Sequence, residues 1–256
     1  MDAKKKLEQV VADDLANART DEYGVTYSID GKRLLRVEKT FDSEHYIIHD
    51  EVRVICNEAF QRCEKIKNVT IHSDVKFIGE KAFTSCNKLV NITIPRSVIH
   101  IGDEAFSFCP NVRKIIVDAQ NPNYDSRDNC NAINETSTNT LRIGCKSTIV
   151  PNTITKIGSF AFYYCAGLEK ITIPNSVTSI EQCAFQGCKG LKEVNISNSV
   201  KKIALQAFSG CSSLTSIAIP FSVTSIDNSA FTQCSSITSI IVDKENSTYD
   251  SRDNCN

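Results

Sequence analysis

Apolar positions along the chain recur in a fixed order rather than in a simple helical or strand period. Ala-Phe-x-x-Cys is written seven times, with its phenylalanines at Phe60, Phe83, Phe106, Phe162, Phe185, Phe208 and Phe231. Its cysteines are Cys63, Cys86, Cys109, Cys165, Cys188, Cys211 and Cys234. All but one of the intervals are 23 residues, and self-similarity at such a period marks a solenoid of stacked coils. Between motifs, triplets such as Leu168, Ile171, Ile173 and Leu191, Val194, Ile196 alternate at their ends as short strands do. Pro95, Pro174 and Pro220 follow directly and, lacking an N–H, end the ladder. A second apolar pair, such as Val177 and Ile180, predicts another short extended wall. Ala-Phe-x-x-Cys predicts the remaining wall, as a short helical or 3₁₀ turn.

The fold class expected is therefore a β-rich α/β solenoid of seven coils. Residues 52–117 hold coils one to three and 151–242 coils four to seven. Between Phe106 and Phe162 the interval is 56 residues, so 118–150 carries an insertion. Its middle reads as a hairpin turning at Ser137-Thr138, with Ile133 set against Arg142 and Cys130 opposite Cys145. That register allows either a Cys130–Cys145 disulfide or two buried or free thiols. Residues 121–131, NPNYDSRDNCN, are echoed by 246–256, NSTYDSRDNCN. The echo predicts that 243–256 is a truncated second copy of the insertion, poorly ordered after Asp243 for want of its partner strand.

Upstream, Leu7, Val10, Val11 and Leu15 have helical spacing, predicting an amphipathic helix within 1–20 that covers the first coil. Asp30-Gly31 between alternating apolar runs predicts a capping hairpin within 21–51.

Composition narrows the functional classes. Twenty-nine basic residues against thirty acidic give a net charge of -1, and no global field for nucleic acid. No apolar run is long enough to span a bilayer. The basic start Lys4-Lys5-Lys6 lacks the apolar region of a signal peptide, so the chain is either cytoplasmic as written or has lost an export signal. Seven of the twelve cysteines share one coil position, which points to packing; the pattern of a zinc site is missing. Asp125 and Asp128 lack the glycine and distal glutamate of a calcium loop, and Arg127 paired to neighbouring carboxylates is the simpler account. His45, His49, His72 and His100 form no ligand or catalytic signature, and no phosphate loop or nucleophile elbow occurs. Neither an enzyme nor a cofactor is expected.

The run IPNSVTSIEQCAFQGCKGLKEVNI resembles, almost position by position, the BspA-like leucine-rich repeats, also called the Treponema pallidum type. The resemblance covers roughly 52–242 apart from the insertion. It implies a curved solenoid with a parallel sheet along one face, and a role in attachment or protein binding at a bacterial cell surface or in secretion. It carries no shared catalytic residues. The outward strand positions then form the expected docking face: Lys67, Thr70, Asn91, Thr93, Arg113 and Lys114, followed by Glu169, Lys170, Thr172, Lys192, Glu193 and Asn195. Mixed in charge and rich in hydroxyls and amides, they suit a protein or glycan partner, such as a host matrix or cell-surface protein, better than DNA. Two other classes stand beside this: a structural spacer in a larger surface protein, and an accessory domain of an enzyme.

Overall fold

In the computed structural model the described residues are 7–251, and they form two compact units that divide between residues 125 and 126. Both are β-solenoids built on the same plan. In the first unit, the strands Val54–Ile55, Phe77–Ile78 and His100–Ile101 pair in parallel along one wall. Another wall carries His45–Ile47 with Asn68–Thr70 and Asn91–Ile94 with Lys114–Val117, also parallel. In the second unit, Lys156–Ile157, Ser179–Ile180, Lys202–Ile203 and Ser225–Ile226 make the first wall. Lys170–Ile173 with Glu193–Ile196, and Ser216–Ile219 with Ser239–Val242, make the other.

Each unit opens with an antiparallel hairpin whose last strand pairs in parallel with the first coil. In unit one, Val25–Tyr27 and Arg33–Val37 form it, with Gly31 at φ +72 in the turn, a conformation that glycine adopts without steric cost. Leu34 then lies beside Ile55. In unit two, Ala132–Glu135 and Thr140–Gly144 form the hairpin, and Leu141 lies beside Ile157. The register differs from the expectation: Ile133 faces Ile143 rather than Arg142, because a bulge between Ile133 and Asn134 shifts one strand by a residue. Cys130 and Cys145 are both buried. The Cys145 thiol donates to the Asn131 carbonyl (3.4 Å), and Cys130 Sγ accepts from Asn134 Nδ2 (3.3 Å).

The Ala-Phe-x-x-Cys wall is not helical. Among the described residues it runs as consecutive turns, with left-handed residues two before and two after the core phenylalanines from Phe60 to Phe208, and two after Phe231. Cys183 (φ 55) and Gly187 (φ 72) bracket Phe185 in this way. At most coils a non-glycine residue takes these positions, at roughly 1–2 kcal/mol each. Coil-to-coil hydrogen bonds offset that strain: Phe162 N donates to Ala184 O and Phe185 N to Ala207 O, both at 2.7 Å. The phenylalanine rings stack, with Phe162 and Phe185 at 4.9 Å and 9°, and Phe185 and Phe208 at 5.1 Å and 2°. Cys86, Cys109, Cys188, Cys211 and Cys234 each donate a thiol proton to the carbonyl of the phenylalanine 26 residues earlier, at 3.0–3.2 Å. Burial raises the Cys188, Cys211 and Cys234 thiols, and pushes that of Cys63, at the same coil position, up to about 12.

Two further expectations are corrected. The N-terminal segment is not one helix across its apolar positions: residues 7–8 are helical, 9–11 are not, and a separate helix spans Ala12–Ala16. Asp14 accepts the Val11 N–H (2.9 Å), so a new helix start replaces continuation. Leu7, Val11 and Leu15 stay exposed, while Val10 packs on the cluster of Leu35, Val54 and Cys56. The start of the expected helix, residues 1–6, lies outside the described residues. At the other end, residues 244–251 are held without a partner strand. Asn246 Nδ2 donates to Pro220 O and Val223 O, and Tyr249 OH accepts from Ile226 N. Asn121 and Tyr124 do the same with Pro95, Val98 and Ile101 in the first copy. The echoed sequence is thus a side-chain clamp on the preceding coil. Residues 252–256 lie outside the described residues.

Candidate functional site

The strand face follows from pairing register. Parallel alignment sets residues 23 apart side by side, so each coil adds one rung to each outward column. In unit one, His45 lies beside Asn68 and Asn91 beside Lys114; the next column sets Ile47 beside Thr70 and Thr93 beside Ile116. In unit two, Lys170 lies beside Glu193 and Ser216 beside Ser239, then Thr172 beside Asn195 and Ala218 beside Ile241. The residues between them, such as Ile92, Ile171 and Val194, are buried, which forces these columns outward.

Thr70, Asn91, Thr93 and Lys114 accordingly lie in the outward columns of unit one, and Lys170, Thr172, Glu193 and Asn195 in those of unit two; Lys67, Arg113, Glu169 and Lys192 directly precede these strands. Many of them are engaged with the neighbouring coil. Lys67 pairs with Glu44 (2.8 Å), Lys192 with Glu169 (3.0 Å) and Lys170 with Glu193 (2.8 Å). Asn91 Nδ2 donates to Asn68 Oδ1 (3.0 Å), and Asn195 Nδ2 to Glu193 Oε1 (3.0 Å). Hydrogen bonds from Lys67 lower Glu44, and those from Lys170 and Asn195 lower Glu193, below the ordinary carboxylate range. Both carboxylates are solvent-exposed, so these pairs set local charge pattern more than stability.

What the residue pattern underweighted is apolar exposure on this face. Ile47 is 69% exposed, Ile241 58% and Ile116 41%. The signal was present in Tyr46-Ile47-Ile48, where the buried Tyr46 and Ile48 flank an outward Ile47. Elsewhere, Arg127 NH1 donates to Asn139 Oδ1 (3.1 Å) and Thr153 Oγ1 (3.2 Å). Among the described residues no group of three His, Cys, Asp or Glu side chains converges to hold a metal, and no helix is long and apolar enough to cross a membrane.

The BspA type leucine rich repeat region, in six copies, matches residues 38–143 and 141–253. The chain belongs to this family. A leucine rich cell surface protein from Faecalibacterium prausnitzii is 29% identical, with a TM-score of 0.63 over 78% of this chain and 59% of that one. The pneumococcal vaccine antigen PcpA is 20% identical, with a TM-score of 0.68 over 79% of this chain and 51% of that one. A leucine-rich repeat protein from Eubacterium ventriosum is 22% identical, with a TM-score of 0.55 over 80% of this chain and 70% of that one. The latter two likenesses concern the fold alone. This chain spans between half and three fifths of the length of the first two structures. No curated protein matches it.

Proposed function

We propose that this BspA-type domain is a non-enzymatic interaction module of a bacterial cell-surface protein, and that its strand face docks a partner protein. The observation that carries the reading is the column of Ile47, Thr70, Thr93 and Ile116, four outward β-branched side chains on paired parallel strands. Aligned in this way they offer a firm apolar strip between charged and amide columns, the mixture typical of a transient protein interface. Thr172, Asn195 and Ile241 continue the theme in unit two. The likeness to a cell surface protein of the same family supports the location.

The spacer reading has its own support. Lys67–Glu44 and Lys192–Glu169 satisfy face charges inside the solenoid, as a rod without a partner would require. One experiment separates the two. Swapping Lys192→Glu together with Glu169→Lys keeps the internal pair and inverts the pattern shown outward. Binding to a panel of immobilised extracellular matrix proteins is measured for the native and swapped chains. Saturable binding to a panel member that the swap weakens supports the interaction module; absence of binding to every member, or binding that the swap leaves unchanged, counts against this face.

A further inference from the structure

The N-terminal segment lies on the wall that carries Val54–Ile55, Phe77–Ile78 and His100–Ile101, and its contacts define a recognition pattern. The Glu8 carbonyl accepts the main-chain N–H of Asn57 (2.8 Å), three residues before core Phe60. The buried Glu8 carboxylate sits 3.4 Å from His100 Nε2, six residues before core Phe106, two coils further on. Val10 packs on Leu35, Val54 and Cys56. A carbonyl, a carboxylate and an aliphatic group two residues later are thus read together by one wall.

The second unit repeats that wall. Its hairpin pairs with its first coil as the N-terminal hairpin does, with Thr140 beside Lys156 where Arg33 lies beside Val54. In the same coil positions, Ser159 replaces Asn57 and Lys202 replaces His100. Both line an open groove of about 660 Å³ on unit two. Its edge carries a row of main-chain amides, one per coil, at Ser159, Gln182, Leu205 and Asn228, and none of the four has an acceptor among the described residues. Leu205, 41% exposed, adds an apolar contact. The groove's own carboxylates are engaged. Asp227 accepts from Ser229 N (3.0 Å) and Oγ (2.7 Å), and Glu181 from Ser179 Oγ (2.7 Å) and Lys202 (3.4 Å). In the Lys202–Glu181 pair the lysine is exposed and the carboxylate half-buried, and at 3.4 Å the contact is weak enough to exchange for a better partner.

We propose that this groove docks a short acidic peptide segment of a partner protein, bearing a carboxylate residue followed two positions later by an aliphatic one. Its backbone carbonyls accept from the row of amides, its carboxylate pairs with Lys202, and its aliphatic side chain covers Leu205. The chemistry is that of Glu8-Gln9-Val10 on the first unit, with lysine in place of histidine at the charge-reading position.

The test uses a fluorescein-labelled peptide with the sequence of residues 4–17, titrated with the full chain, whose own N-terminal segment already fills the first wall. Anisotropy should rise to saturation. Lys202→Glu should weaken binding about tenfold, as should Gln182→Pro, each removing one charged or hydrogen-bonding contact. Gln182 immediately precedes left-handed Cys183, a turn position that proline suits, so that variant deletes the N–H while keeping the path. Circular dichroism and thermal melts confirm that both variants fold, and Lys189→Glu, exposed and outside the groove, should bind as the native chain does. Absence of saturable binding, or binding by both groove variants as tight as by the native chain, would overturn the proposal. So would self-association of the unlabelled chain that Glu8→Lys abolishes, since the occupant would then be a second copy rather than a partner.

Discussion

The thiol of Cys188 donates to the carbonyl oxygen of Phe162 at 3.0 Å, across 26 residues and one coil boundary, and both side chains are buried. This contact recurs down each solenoid and explains why cysteine follows the core phenylalanine. The side chain must be small enough for tight stacking, yet carry a donor for a carbonyl that no strand ladder serves.

The stacked rings dominate the packing. Phe185→Ala removes a ring held between Phe162 and Phe208, and should destabilise the chain by about 3–5 kcal/mol in urea or thermal unfolding. Phe231→Ala should cost less, because Phe231 is only half-buried and stacks with a ring on one side, Phe208.

Alkaline pH should weaken the fold. Burial raises Cys56 to about 11 and Cys63 to about 12 in the native state, against roughly 8.5 in an unfolded chain. A raised folded value means that stability is fully present below the unfolded value and is lost as pH climbs towards the folded one. Each such thiol should remove about 1.4 kcal/mol per pH unit across that window. Melting temperature should therefore hold steady up to about pH 8 and then fall steeply towards pH 11. In native buffer at pH 8 the ladder thiols should also resist a disulfide reagent that reacts with them in denaturant.

The asparagine clamp predicts a graded pair. Asn121→Ala strips the buried donors from the Pro95 and Val98 carbonyls and should cost about 1–3 kcal/mol. Asn246→Ala breaks the equivalent bonds at a half-exposed site, where water replaces them, and should cost less. Chemical denaturation of the two variants side by side measures the difference.

Which features the residues announced follows from physics. The inward set, from Leu168 and Ile171 to Phe185 and Cys188, was legible because a 23-residue period leaves each position one environment. The outward columns followed by elimination. The hairpin register did not, because the bulge at Ile133/Asn134 is set by tertiary packing and leaves no mark in the alternation. The left-handed turns around Phe60 and Phe83 were hidden because residues such as Glu58 and Lys81, rather than glycine, occupy them. The ion pairs of the strand face were visible as opposite charges 23 apart, Lys192 with Glu169, once the parallel register was known. The path of Glu8–Val10 across the first wall depends on the Asn57 amide and on His100, which share no local pattern with it.

The most direct test of the account is equilibrium binding of the double variant Thr70→Arg with Thr93→Arg to a matrix protein that the native chain captures. A matched control carries Lys76→Glu with Lys201→Glu, away from the strand face. The prediction is that the arginine pair lowers affinity at least tenfold while the control and both melting curves stay unchanged. Unchanged affinity in the arginine variant, or an equal loss in the control, would contradict the assignment of the Ile47–Thr70–Thr93–Ile116 column as the contact surface.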